Sequence, residues 1–166
     1  MNAARKHRHW HVETDADGIA WLHLDKADSD TNVLSREVLL ELDDLLDELT
    51  RKPPRGVIFV SDKPGGFIAG ADVQEFTQLQ TEDEALEAIR RGQGIMDRIE
   101  ALPCPTVAVL HGFALGGGLE LALACDYRVA EDDPGTKLGL PEIRLGIHPG
   151  FGGTVRSIER LGVLQA

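Results

Sequence analysis

Thr106-Val-Ala-Val-Leu-His-Gly-Phe-Ala-Leu-Gly-Gly-Gly-Leu-Glu-Leu-Ala-Leu-Ala-Cys125 is the stretch whose reading decides the fold. Thr106 to Leu110 is short, apolar and β-branched, as a buried strand is. Glycines follow, and then an apolar run of helical length, so strand, glycine turn and helix succeed one another within twenty residues. Asp126 to Ala130 supplies a further short strand. This alternation predicts an α/β architecture with parallel strand pairs.

The same alternation extends upstream. Pro103 and Pro105 close a helix that opens at the capping box Thr81/Glu84 and runs to about Leu102. Before it lie a glycine-rich loop, Pro64 to Ala71, and a buried strand, Gly56 to Ser61. Pro53-Pro54 ends an earlier helix, capped by Ser35 and running to about Thr50, in which Val38, Leu42, Leu45, Leu46 and Leu49 recur at spacings of three and four. Its other face carries Glu41, Asp44, Asp47 and Glu48 and reads as a solvated stripe. At the start, Trp10–Thr14 and Ile19–Leu24 form a hairpin across Asp15-Ala-Asp-Gly18.

Composition narrows the function. The chain has 166 residues, 42% of them apolar, enough for one domain with a real core and too few for a second complete one. Acidic residues outnumber basic ones, 28 to 17, and the net charge of -11 disfavours a general affinity for nucleic acid. A phosphorylated ligand would need a local basic rim, for which Lys26, Arg55 and Lys63 near strand ends are the candidates. Cys104 and Cys125 have neither metal nor redox spacing and read as buried free thiols of a reducing compartment. No apolar segment is long enough for a signal peptide or membrane span, which predicts a cytoplasmic protein. His7, His9 and His11 alternate around Arg8 and Trp10, but no Cys or carboxylate cluster joins them, so they read as a solvated leader and no metal site is expected.

The glycines carry the chemistry. Gly112, Gly116, Gly117 and Gly118 stand between a strand and a helix, where bare backbone admits a ligand to a helix N-terminus. Unpaired N–H groups there favour an oxygen that gains negative charge. Other glycine motifs fail: Leu121 stands where a dinucleotide fingerprint needs glycine, no Gly-Lys-Ser/Thr follows, and Ala114 stands where a nucleophile elbow needs serine. Glu120, in Gly116-Gly-Gly-Leu-Glu120, and Glu142, in Leu138-Gly-Leu-Pro-Glu142, add two carboxyl groups to this frame. With Phe67-Ile-Ala-Gly-Ala-Asp72 they suggest proton transfer beside a stabilised enolate of a thioester. Glu142 after Pro141 also fits as a plain N-terminal helix charge. His148, before Pro149, reads as structural because two proton carriers are already present.

Three separated segments, Phe67 to Phe76, His111 to Ala130 and Leu138 to Arg156, resemble the enoyl-CoA hydratase/isomerase, or crotonase, superfamily. The likeness extends over nearly the whole chain from Trp10. Leu138-Gly-Leu-Pro-Glu-Ile-Arg-Leu-Gly-Ile-His-Pro-Gly-Phe-Gly-Gly-Thr154 is most similar to the N-terminal hydratase region of multifunctional fatty-acid oxidation α subunits. The resemblance implies a ClpP/crotonase core of repeated ββα units, with residues 1–9 a polar leader and 10–166 the N-terminal part of the hydratase domain. Further helices, which close the acyl pocket and build the trimer, and a dehydrogenase portion are expected beyond the region matching Leu161-Gly-Val-Leu-Gln-Ala166.

By the same resemblance the peptide N–H groups of Ala71 and Gly117 form the oxyanion hole. Glu120 holds the water that adds at C3, and Glu142 delivers the proton to C2. Lys26, Lys63, Ala69, Gly70, Asp72, Val73 and Gly116 contact the acyl-CoA, with Asp72 tying down the oxyanion loop through local backbone hydrogen bonds. Hydration of trans-2-enoyl-CoA in fatty-acid β-oxidation is the implied activity. Double-bond isomerisation, another crotonase reaction, or a non-catalytic CoA-binding or assembly fragment are the alternatives. Coenzyme A enters as part of the substrate with no further cofactor, and the partners implied are further copies of the chain or a larger multifunctional complex.

Overall fold

The first two strands form the hairpin their patterning predicts: β1 (Trp10–Thr14) and β2 (Ile19–Leu24), the latter alternating buried and outward residues, pair antiparallel with Trp10 opposite Leu24. In the computed structural model, which describes residues 7–164, this hairpin begins a five-stranded sheet. Its order is β1, β2, β3 (Gly56–Ser61), β4 (Thr106–Leu110) and β6 (Tyr127–Ala130), and every pairing after the hairpin is parallel. Parallel neighbours require crossovers, and the helices supply them.

Helix α1 (Arg36–Arg51) joins β2 to β3; Ser35 Oγ accepts the Val38 N–H at 3.4 Å, and Val38, Leu39, Leu42, Leu45, Leu46 and Leu49 are buried. Helix α3 (Glu82–Glu100) joins β3 to β4 and begins with the expected capping box: Thr81 Oγ1 accepts from Glu84 N, and Glu84 Oε2 from Thr81 N. Its second half buries Ile95, Met96 and Ile99 against a core that includes Leu22, Leu24, Phe59, Leu110 and Leu121. Trp10 closes one end of that core. Its ring stands edge-on to Phe59 with centroids 6.3 Å apart, and its Nε1–H donates to Val38 O at 3.0 Å.

Several elements lie outside what sequence periodicity indicated. Asp72 caps a single turn, α2 (Val73–Phe76). Strands β5 (Phe113–Leu115) and β7 (Lys137–Gly139) form a separate parallel pair of three residues each. A 3-10 turn, Glu142–Leu145, and helix α5 (Gly153–Leu161) follow. The glycine turn and apolar helix of the opening stretch become β5 and α4 (Gly117–Ala124), with Cys125 at its C-cap. Burial pushes the Cys125 thiol up to about 12, as befits an inert core thiol.

Two readings of the surface are corrected. The leader is not solvated through residue 9: His9 is buried, its Nδ1 accepts the Ala27 N–H at 3.1 Å, and its Nε2 is therefore the protonated nitrogen facing Glu37 Oε2 at 3.1 Å. Residues 1–6 of that leader, like 165 and 166, lie outside the described residues. The acidic face of α1 is not merely solvated either. Glu41 accepts the peptide N–H groups of Arg8, His9 and Trp10, and Asp43 and Asp47 both pair with Arg98 of α3. Hairpin and helix are thus stitched together by charges that a sequence pattern assigns to water.

Asn32 is the polar hub of the core. It is fully buried, and its Nδ2 lies 3.0 Å from Leu24 O, 2.9 Å from Ser61 Oγ and 3.2 Å from Phe67 O, while Oδ1 accepts the Lys26 N–H at 2.9 Å. One amide therefore joins the ends of β2 and β3 to the glycine-rich loop that follows. A buried polar group with all its partners specifies geometry as well as stability. Here the geometry is that of the Phe67–Asp72 loop.

Candidate active site

The loop after β3 is laid against residues 32–34 by backbone hydrogen bonds: Ala69 N to Asn32 O at 2.9 Å, Leu34 N to Gly70 O at 2.8 Å, and Asp72 N to Leu34 O at 3.3 Å. This bridge uses the carbonyl before Ala71 and the N–H after it, which leaves the Ala71 N–H itself unengaged among the described residues. Asp72 then fixes the chain by accepting the Gln74 N–H at 3.1 Å. That is the local role expected of an aspartate in a turn.

The second glycine segment meets this loop. Gly70, at φ +124, and Gly116, at φ +51, have backbone conformations that favour glycine. They also lie against one another: a Cβ on Gly70 would come 3.8 Å from Gly117 N, and one on Gly116 would come 3.7 Å from Gly70 Cα. Gly116 N–H is used by Gly139 O at 2.9 Å, whereas Gly117 N–H, at the first position of α4, has no partner among the described residues. Ala71 and Gly117, each with an unengaged peptide N–H, thus sit on two adjoining glycine segments and line one cleft. A ligand oxygen is the natural acceptor there.

Both glutamates reach the same cleft. Glu120, in the first turn of α4, is 2% exposed, and its Oε1 accepts two peptide N–H groups, from Phe151 at 2.8 Å and Gly153 at 2.7 Å. Glu142 opens the 3-10 turn after Pro141 and is 9% exposed; its Oε1 would lie 2.9 Å from a Cβ on Gly116, and its buried Oε2 has no hydrogen-bond partner. A buried carboxyl oxygen without a partner is costly unless something else occupies the site. The position at a helical N-terminus and a place in the cleft thus both hold for Glu142.

Burial pushes the Glu120 carboxyl above its ordinary range, the Gly153 and Phe151 N–H groups pull it back, and the Glu142 charge adds to the rise. Raising a carboxyl's folded pKa means that its stabilising contribution is complete below the unfolded value of about 4.3 and is lost as pH rises through the folded value. The neutral variant Glu120→Gln should escape that loss. Thermal melts of both proteins from about pH 4 to about pH 8 should show the wild type losing Tm relative to the variant as pH increases.

The cleft has a volume of about 1050 Å³, and Ala69, Gly70, Ala71, Asp72, Val73, Gly116, Gly117, Glu120 and Glu142 all line it. Leu39, Phe76, Ile89, Leu145 and Phe151 give it apolar walls. Phe151 is seated on bare backbone: a Cβ on Gly92 of α3 would fall 2.1 Å from its ring, and one on Gly117 would fall 3.3 Å from it. Lys26 and Lys63 are not brought to the cleft. Lys63 Nζ is held by Asp25 at 2.6 Å, and Lys26 contributes its backbone N–H to Asn32. Arg55 is likewise engaged elsewhere, donating to Asp17 O. The cations that do line the cleft are Arg36 and Arg91, the latter paired with Glu87 at 2.7 Å.

Sequence reading did not find Asn32, Phe151, Gly153 or Arg156. The last three lie inside the segment Leu138 to Arg156, but Phe151 and Gly153 reach Glu120 across thirty-one and thirty-three residues and Arg156 reaches Asp97 and Glu100 across more than fifty, which leaves no local pattern. His148 does line the cleft. The leader histidines part company: His9 enters the core, while His11 lies opposite His23 on β2 with its Nε2 2.8 Å from Glu13 Oε1. Among the described residues no group of three or more His, Cys, Asp or Glu is arranged to hold a metal ion, and no helix is long and apolar enough to cross a membrane.

Comparison with known proteins agrees with this architecture. Residues 14–166 match the profile of a family described as enoyl-CoA hydratase/isomerase. Over 154 residues the chain is 46% identical to a fatty acid oxidation complex subunit alpha from Aliivibrio fischeri, covering 92% of this chain and 22% of that protein. Among solved structures, an enoyl-CoA hydratase from Bacillus anthracis superposes with a TM-score of 0.84 at 34% identity, covering 94% of this chain and 59% of that one. One from Geobacillus kaustophilus gives a TM-score of 0.87 at 34% identity, with coverages of 95% and 58%. The chain thus spans about a fifth of the curated relative and under two thirds of these structures.

Proposed function

The chain belongs to the enoyl-CoA hydratase/isomerase family, and from that premise we propose that its cleft hydrates a trans-2-enoyl-CoA to the 3-hydroxyacyl-CoA. The observation that carries this reading is the pairing of two buried carboxyl groups with two unengaged peptide N–H groups in one apolar-walled cleft.

The thioester carbonyl oxygen accepts the Ala71 and Gly117 N–H groups, which favour the negative charge it gains as C3 is attacked. Glu120, ionised, takes a proton from a water as the oxygen of that water bonds to C3. Glu142, protonated, gives its proton to C2 on the same face, so that water adds syn and the enolate collapses to the saturated thioester. Glu120 ends protonated and Glu142 ionised, and proton exchange between them restores the starting state. The upward shift of Glu120 suits a general base, because a stronger base takes the proton more readily. Coenzyme A is carried as part of the substrate.

The name of the Aliivibrio relative supports a setting in fatty-acid β-oxidation. The outward apolar residues Val155, Ile158 and Leu161 of α5, with Ile143 and Leu145 of the preceding turn, support assembly with further copies or other chains.

The test follows the conjugated-thioester absorbance of crotonyl-CoA with this chain and its Glu142→Gln variant. Loss of absorbance that the substitution abolishes is the expected result. Conversion of a 3-enoyl-CoA but not of crotonyl-CoA would replace hydration by isomerisation. Binding of the thioester without any turnover would leave a non-catalytic CoA-binding core.

A further inference from the structure

Glu120 depends on a turn it does not belong to. The two N–H groups on its Oε1 come from Phe151 and Gly153, either side of Gly152, and the peptide between them is held by its carbonyl: Arg156 Nη1 donates to Phe151 O at 2.9 Å. The same guanidinium reaches α3, with Nη2 2.5 Å from Asp97 Oδ1 and Nε 3.1 Å from Glu100 Oε2. Its side chain is only 7% exposed, whereas that of Asp97 is 71% exposed, so the cation is sunk under the turn and the carboxylates reach it from the surface. Gly152, at φ +98, leaves the space that the guanidinium fills; a Cβ there would lie 2.4 Å from Nη1. A buried guanidinium costs desolvation unless its planar fork is used, and here all three nitrogens are. Arg156 does not line the cleft.

We propose that Arg156 is a positioning residue for Glu120: through the Phe151 carbonyl it fixes the two peptide N–H groups that engage one carboxyl oxygen and leaves the other oxygen for proton transfer. This inference rests on the hydration reading for its catalytic consequence only. The charged groups that face Glu120 are Glu142 from the 3-10 turn, which opposes its ionisation, and Arg156 from α5, which favours it.

The experiment uses the full chain and the variants Arg156→Lys and Arg156→Met. The Phe151 and Gly153 amides report the Glu120 carboxyl directly, so their NMR shifts are followed through a pH titration alongside steady-state hydration of crotonyl-CoA. In the wild type both amides titrate with one midpoint. In Arg156→Met that midpoint rises and the two amides lose their common response, while kcat falls about 10²-fold with KM little changed, as for a misplaced reacting group. The acid limb of the kcat profile moves to higher pH. Arg156→Lys, which keeps the charge but cannot span three partners, falls between, and it answers the question alone if the methionine variant does not fold. Unaltered amides and midpoint in a folded variant, with only Tm lowered, would overturn the proposal. Altered amides with unchanged kcat, in a chain whose wild type hydrates crotonyl-CoA, would overturn it too. If the wild type hydrates nothing, a raised midpoint and divergent amides in Arg156→Met would support the positioning and remove the reaction assigned above.

Discussion

Glu120→Gln is expected to lower kcat for hydration of a 2-enoyl-CoA by ~10²–10⁴-fold, the range over which a positioned acid or base contributes. The substitution is close to isosteric. A glutamine carbonyl oxygen can accept the Phe151 and Gly153 N–H groups as Oε1 does, so the turn before α5 keeps its anchor and the loss falls on proton transfer. KM should change little because the peptide N–H groups of Ala71 and Gly117 are untouched. The variant should also be at least as stable as the wild type at neutral pH, since burial disfavours the charge it removes. Steady-state kinetics paired with thermal melts check both halves: turnover within a few-fold of wild type would show that Glu120 carries no proton in this reaction.

Gly118→Ala is expected to destabilise the fold by about 3 kcal/mol or more, at or beyond the usual cost of forcing one extra carbon into a packed site. A Cβ there would stand 2.4 Å from the carbonyl oxygen and 2.7 Å from the Cβ of Ile68. No rotamer change relieves a clash with backbone. Ile68 O already accepts the Leu115 N–H at 3.0 Å, so the loop cannot retreat without breaking the contact that aligns the two glycine segments. Activity should therefore fall along with Tm, because Ala71 and Gly117 are carried by the two segments pushed apart. Chemical denaturation measures the first effect. The residual kcat of the folded fraction measures the second.

The elements that announced themselves in the sequence are those with local causes. The hairpin across Asp15–Gly18, the leucine stripe of α1 and the Thr81/Glu84 box of α3 each depend on residues within a few positions of one another. Strands β5 and β7 were illegible because each is three residues long and pairs with segments far away in the sequence, β5 with β7 and, through Ala114, with Ile68. Helix α5 begins at glycines with no side-chain cap and turns apolar residues outward, so it lacks both a start signal and a buried stripe. The glycines and the two glutamates stood out as the residue types that proton transfer beside an enolate would need, and Gly116, Gly117, Glu120 and Glu142 line one cleft. What holds Glu120 was not, since a peptide N–H donates whatever side chain it carries. The lysines were misleading for a related reason: proximity to a strand end gives no hint that Asp25 already neutralises Lys63.

The seat of Phe151 on Gly92 ties together two positions fifty-nine residues apart in sequence. A methyl group at Gly92 would occupy the space of the aromatic ring, which is also a wall of the cleft and neighbour to the N–H groups on Glu120. A lineage that changes either residue singly passes through a damaged intermediate: a larger residue at 92 displaces the ring, and a smaller one at 151 leaves a void beside the Glu120 carboxyl. Only the double exchange, a side chain gained on α3 and volume lost at 151, restores the fit. Inheritance should therefore treat the pair as one character, which ties the width of the cleft to the outline of a helix that carries neither of the two glutamates.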